Sequence, residues 1–414
     1  MSDTPLHTHT FPNGLTLVAE EIPNARAAAF QFQLRAGAVT DPPGGEGASG
    51  LLETLSYRGA GSRPTRELSD ALDNLGLQRS GAADLEYSTF GGSLLREDLN
   101  DALALYADIL LRPHLPGDQL EAAKTIALQR IAALEDNPSS KLFVYLQEAF
   151  FPGPHGRSAL GTPEGIRALT MDDLRESHAG RYRPKGTILG VAGSFDWAGL
   201  VETVGRLFGE WEGASPPLPT PSTEGRIRYR HLPKPEASQM QIGVGYPEVD
   251  PTHLEFYDAL MAVQVLSAGM GSRLFTEVRE KRGLVYSVFA SNRAVKGAGM
   301  VLAYAGTTPD RSQESLDVLL GELKRLPEGV TEDEVARAKT GLLSSLVMQG
   351  ESTGARVGAL TRDQFLRGRL RTLDEIRADI ERVTPATIQA HLRAHPPGEF
   401  TVVTLGPTEL EVRE

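Results

Sequence analysis

The chain has no cysteine, which rules out thiolate metal sites, disulfides and cysteine nucleophiles and leaves His, Asp and Glu as the available metal ligands. Two histidine pairs draw attention. His391 and His395 stand four apart, the interval that places two imidazoles on one helix face and suits zinc. His395, however, precedes Pro396 and falls at an expected helix end, so the pair reads as polar surface. His7 and His9 alternate on an expected strand with no carboxylate beside them, and they read as its polar face. Glu53 lies within Gly50–Arg58, where Leu51, Leu52 and Leu55 mark the apolar side of an amphipathic helix. Arg279, Lys281 and Arg282 form a basic cluster at a helix end, with Tyr286 seven positions after Arg279. From spacing alone this is a solvated cluster beside a packed tyrosine. Gly269 and Gly271 flank Met270 after a helix-like stretch and suit either a flexible loop or a helix cap.

The elements that must position these residues fall into two halves. Glu212–Gly225 crowds proline, serine and glycine without an apolar period and reads as a linker, giving domains 1–211 and 226–414 joined by 212–225. In the first half, Pro12-Asn13-Gly14 marks a hairpin within His9–Val18. Phe30, Phe32 and Leu34 alternate with Gln31, Gln33 and Arg35 as a strand with one wet face. Helical spacing follows at Asp101–Leu111 and Leu120–Leu134, and Pro138 opens another helix toward Phe150. The second half reads similarly, with strands near Arg226–Arg230 and Gln239–Val244 and helices around Leu254–Leu266, Gln313–Leu323 and Thr331–Val347. Two short apolar runs, beginning at Thr187 and Thr401, each follow a helix-like stretch (Met171–Tyr182 and Pro385–His395) and lie 214 positions apart. Leu120–Thr125 resembles Val335–Thr340 at an offset of 215. Nearly equal offsets point to an internal duplication, and mixed strands and helices point to α+β.

The segment Gly47–Gly59, preceded by Arg35–Ala38, resembles the zinc-binding helix of the pitrilysin (insulinase-type) peptidase family. Members carry His-x-x-Glu-His, in which the two imidazoles share one helix face and the glutamate acts as general base on the zinc-bound water. Laid onto this chain, the histidine positions are Gly50 and Thr54, the glutamate is Glu53, and the third ligand, a glutamate on a later helix, falls at or next to Arg130. The resemblance therefore implies a degenerate zinc site and no zinc cofactor in this chain. If Glu53 is buried, Arg130 can stand in for the missing metal charge. Gly269–Val288 carries the strongest likeness. The family's Arg and Tyr, seven apart, stabilise the tetrahedral intermediate beside the zinc, and here they are Arg279 and Tyr286. A guanidinium and a phenol are suitable fixed donors for a developing oxyanion.

The likeness runs from Phe11-Pro-Asn-Gly-Leu15 through His155–Thr162 and Tyr182–Gly186 to the last strand. It implies two homologous domains, each a mostly antiparallel sheet packed against helices. It further implies a subunit of the processing-peptidase kind, paired with a zinc-motif-bearing homologue as a heterodimer, or with itself, around a peptide substrate. A rival reading is a structural or peptide-binding homologue without proteolytic role, comparable to the core subunits of respiratory complex III. An active zinc enzyme with displaced ligands is a third, and nothing at helical spacing near Glu53 supplies those ligands. The net charge of −12 argues against nucleic acid and anionic membrane surfaces as partners. Met1–His7 has neither a basic start nor an apolar core, no run of eighteen apolar residues occurs, and the expected location is cytoplasmic.

Overall fold

The computed structural model describes residues Thr4–Arg413. Met1–Asp3, on which the reading of the N-terminal sequence partly falls, and Glu414 lie outside the described residues. The first half supplies β1 (Leu6–Thr10), β2 (Thr16–Glu21), β3 (Ala27–Leu34), β4 (Gln78–Ala83), β5 (Ser88–Leu95) and β6 (Ile188–Gly193), which form one sheet in the order β1-β2-β6-β3-β5-β4. The second supplies β7 (Tyr229–Pro233), β8 (Met240–Glu248), β9 (Val285–Val295), β10 (Ala298–Thr307) and β11 (Thr401–Gly406), in the order β7-β11-β8-β10-β9. The second order repeats the last five strands of the first. Each sheet has one parallel pair, β2 with β6 and β7 with β11, and is otherwise antiparallel. The fold is thus α+β, and the strand-for-strand repetition is what a duplicated domain produces.

Local signals account for most elements. The hairpin forms around Pro12-Asn13-Gly14, with Gly14 at φ +89°, and its missing Cβ would sit 2.8 Å from the Lys185 side chain. Asn137 caps the helix Pro138–Phe150 by accepting from Ser140 N, and Thr170 and Asp173 form a capping box for Met171–Arg181. The expected second-half strands shift to Tyr229–Pro233 and Met240–Glu248.

One unit comprises residues up to Ala133, Arg157–Pro219 and Met348–Leu373; the other comprises Leu134–Gly156, Thr220–Val347 and residues from Asp374 onward. The chain passes from one to the other within the proline-rich stretch, but each unit also takes one helix from the opposite half. These units differ from the contiguous blocks 1–211 and 226–414 by that exchange. In the first unit, Thr353–Arg367 lies on β3 and β6, packing Val357, Leu360 and Phe365 against Val18, Ala29 and Ile188. This overturns the wet face expected for β3. Gln33 is buried, and Gln31 donates to Thr361 Oγ1 at 2.9 Å. Polar residues there meet a covering helix rather than water, and the amide's hydrogen bond offsets its desolvation. In the second unit, Pro138–Phe150 packs correspondingly on β8 and β11, with Leu142 and Leu146 close to Gly243. The opposite faces hold the main cores, Phe30, Phe32, Phe90 and Tyr106 in one, Ile242, Val244, Leu266 and Leu316 in the other.

Candidate functional site

Two groups of residues carry the chemistry, one in each unit. The first is built on the helix Ala48–Ser56. Its N-terminus is held by Asp41, whose carboxylate accepts from Gly47 N (2.8 Å), Ser49 N (2.9 Å) and Ser49 Oγ (2.6 Å) and pairs with Arg181 at 2.8 Å. An anion at a helix N-terminus is favoured by the free backbone N–H groups. Sequence reasoning missed this buried pair, because Asp41 precedes the helix by seven residues and Arg181 lies 140 residues further on. Leu51, Leu52 and Leu55 are buried as expected, while Gly50, Glu53, Thr54 and Tyr57 are only partly covered.

Glu53 shares a shallow pocket with Tyr57, Asp73, Leu77, Arg79 and Gly81. Burial holds its carboxyl above the usual carboxylate range, against the opposing pull of the Arg130 guanidinium, a hydrogen bond with Thr54, and Arg79. Arg130 is therefore the leading charge acting on Glu53, although no direct ion pair joins the two among the described residues. Tyr57 Oη lies 3.4 Å from Tyr106 Oη, and Arg79 stands 5.8 Å above the Tyr57 ring. Desolvation pushes both phenols up, that of Tyr106 to about 12, so both stay neutral at physiological pH. Glu53 and Asp73 are the carboxylates of this pocket, and with Gly50 and Thr54 on the Glu53 helix face and guanidiniums acting on Glu53, it offers zinc none of the imidazoles of the family's ligand set. The donor set does not fit a catalytic zinc.

The second group lies where the π-helical turn Phe275–Glu280 leads into β9. Arg273 anchors the turn by donating to both Glu334 oxygens (2.6 and 2.8 Å) and to Gly329 O (2.6 Å). Within the basic cluster, Glu277 pairs with Lys281 at 2.6 Å and Arg282 at 2.9 Å, and these contacts hold its carboxyl below the usual range. Arg279 has no carboxylate partner among the described residues and is exposed, with its guanidinium 5.1 Å from the Phe275 ring. Two cations of the cluster share one carboxylate and the third has none, which spacing alone did not reveal. Tyr286 is 62% exposed. Ser287 faces Gly306 and Val285 faces Thr307, so Tyr286 is the extra residue of a β-bulge on the edge strand. Bulges bend a strand locally and re-aim side chains, and they recur near functional sites. Gly269, at φ +80°, follows the helix Phe256–Ser267, and Ser272 closes a tight turn onto its carbonyl, leaving Met270 exposed. The segment is both a helix stop and an exposed turn.

The remaining candidates separate. His7 stacks on Trp197 at 4.7 Å and, against the expectation of no carboxylate beside the pair, lies 3.7 Å from Glu21 on the adjacent strand, while His9 packs edge-on to Phe11. His391 is fully buried between carboxylates and is not the polar surface residue that its helix-end position suggested.

A model of the family described as insulinase (peptidase family M16) matches residues 16–163, and one described as peptidase M16 inactive domain matches 168–342. The chain is 28% identical over 409 residues to the uncharacterized zinc protease YmxG of Bacillus subtilis, covering 97% of this chain and 98% of that protein. It is 29% identical to a similarly named zinc protease of Streptomyces coelicolor, covering 93% and 86%. A crystal structure of a peptidase M16 inactive domain from Pseudomonas fluorescens superposes with a TM-score of 0.90 at 20% identity, over 99% of this chain and all of that one. A chain of complex III2 from Candida albicans gives 0.85 at 18% identity, over 98% and 97%. The structural likenesses at these identities bear on fold.

Proposed function

This chain belongs to the insulinase (M16) peptidase family, and from that premise we propose that it is a zinc-free subunit, inert alone, that supplies Arg279 and Tyr286 to the active site of a zinc-bearing homologue for peptide hydrolysis. The observation that carries the reading is the state of Arg279. Lys281 and Arg282 share Glu277 while Arg279 has no carboxylate partner among the described residues, and Tyr286, seven residues on, is turned outward at a bulge. In this reading the pair supplies two donors, a guanidinium and a phenol, to the oxygen that becomes negative as a peptide carbonyl is attacked. Around Glu53 the substitutions Gly50, Thr54 and Arg130 support the absence of a resident metal.

The edge strands are β1 and β4 in one sheet and β7 and β9 in the other, and β4 is exposed along nearly its whole length. Unpaired edges of this kind accept an extended peptide by main-chain hydrogen bonding, which suits a substrate read by backbone. The partner in this reading is a zinc-motif homologue in a heterodimer; a homodimer of this chain would lack the metal. No described helix is long and apolar enough to cross a membrane, and the cysteine-free composition suits the cytoplasmic location included in the proposal.

The deciding experiment measures peptide hydrolysis by the purified chain alone and after mixing with its nearest zinc-motif homologue from the same cell. Activity only in the mixture supports the complementing subunit. Turnover by the chain alone overturns it, and inactivity in both favours the structural or peptide-binding reading.

A further inference from the structure

The helix Pro385–Ala394 carries His391 on its inner face and ends at His395. Four residues from three elements converge there. His391 Nδ1 lies 3.0 Å from Glu255 Oε2, and His395 Nε2 approaches the same oxygen at 3.5 Å. One ligand atom from each of these three side chains falls within 4.8 Å of the others. On the far side of the ring, His391 Nε2 lies 3.1 Å from Glu248 Oε1, at the end of β8. Glu248 is nearly fully buried, while Glu255 and His395 are 42% and 39% exposed.

We infer that His391, His395 and Glu255 form a site for one divalent transition-metal ion of the zinc class, with Glu248 as a positioning residue and the fourth coordination place open to solvent. A tetrahedral ion with ligands at about 2.0–2.1 Å separates its ligand atoms by roughly 3.3 Å. The observed 3.0 and 3.5 Å straddle that edge length. Each contact taken singly is one that a carboxylate oxygen accepts; what marks the site is that two imidazoles one helical turn apart and a carboxylate from another element each bring a ligand atom within 4.8 Å of the others. Two imidazoles and one carboxylate suit zinc better than calcium or magnesium, which prefer oxygen alone.

The buried Glu248 supplies what metal-binding histidines usually have, a carboxylate on the other ring nitrogen. Without an ion, Nδ1 hydrogen-bonds Glu255 Oε2 at 3.0 Å; with one bound, the proton of neutral His391 would sit on Nε2 toward Glu248, 3.1 Å away, and free the Nδ1 lone pair for the ion. Glu248 Oε1 also accepts from Val249 N at 2.8 Å, which fixes the carboxylate. His253, whose ring lies 5.7 Å from that of His395, accepts from Glu255 N through Nδ1 and serves to hold Glu255. An ion here ties the last helix to the end of β8 and to the start of the helix Phe256–Ser267.

The inference is independent of the proposed catalytic role, because it limits zinc-free to the absence of a catalytic zinc at the N-terminal helix, and it bears on how metal content is read. Zinc in the purified chain is assigned to the N-terminal helix only if it persists when this cluster is removed. The test is titration of chelator-treated full-length protein with Zn2+ by calorimetry and with Co2+ by visible absorption. The expected result is one equivalent of Zn2+ and the d–d bands of a tetrahedral Co2+ site, both lost in Glu255→Gln/His395→Ala with far-UV circular dichroism unchanged. Glu248→Gln should weaken Zn2+ by about 10- to 100-fold. Absence of binding by the wild type overturns the site, as does an equivalent of Zn2+ that survives the double substitution. Should the double variant misfold, the wild-type Co2+ spectrum still decides, because octahedral or absent bands contradict the assigned ligands.

Discussion

Arg356 donates through Nε to Glu20 at 2.6 Å across 336 residues of sequence, with both side chains almost completely buried. Glu20 lies on β2 of the N-terminal sheet and Arg356 on the helix Thr353–Arg367 from the other half. Removing one partner of a buried pair leaves an uncompensated charge in a medium that solvates it poorly. Arg356→Ala should therefore cost about 3–5 kcal/mol, read as a fall in the urea midpoint. Replacing both, as Glu20→Met with Arg356→Met, should recover most of that loss. A single variant as stable as the wild type would show that this helix is not held as described.

The Arg273–Glu334 pair sets a pH dependence. Hydrogen bonds from Arg273 lower the Glu334 carboxyl from 4.5 to about 2. A depressed carboxylate stabilises the fold above its unfolded value, so the contribution is complete above about pH 4.5 and disappears as pH falls toward 2. Discounted for partial exposure, it amounts to about 1 kcal/mol. Glu334→Gln should melt below the wild type at pH 7, and the two melting curves should converge in acid. A gap that stays constant with pH would assign the effect to packing.

Glu53 behaves in the opposite sense. Burial raises its folded-state value above 4.5, so the folded protein holds a proton that the unfolded chain releases, and stability falls as pH rises through that interval. Glu53→Gln should raise the urea midpoint at pH 7, abolish this part of the pH dependence, and leave cleavage by the reconstituted pair unchanged. Loss of cleavage with folding intact would give Glu53 a chemical role that its surroundings do not suggest.

Arg279→Ala and Tyr286→Phe should each reduce kcat of the reconstituted pair by about 10²-fold, the scale of one lost oxyanion donor. Circular dichroism and melting temperature should be unaffected, since both side chains are exposed. A change confined to KM would instead place them in substrate binding.

What the sequence determined by itself is local. Turn residues at Pro12–Gly14, the cap at Asn137, the apolar alternation of β3 and the spacing of the leucines in Gly50–Arg58 all act within a few residues, so hairpin, helices and strands were legible. So were the residue types at Gly50, Thr54 and Arg130, none of which carries an imidazole or a carboxylate. The tertiary structure alone decided which faces are covered and which charges are spent. Gln31 reads as a wet residue until Thr361 arrives from 330 positions away, and Arg279 reads as one of three equivalent cations until Glu277 folds back on the other two. His391 likewise reads as polar surface until Glu255 meets it from 136 residues away. Periodicity records only neighbours along the chain, whereas burial, pairing and charge state depend on groups brought together by packing, and those distances are set when the sheets and helices close on one another.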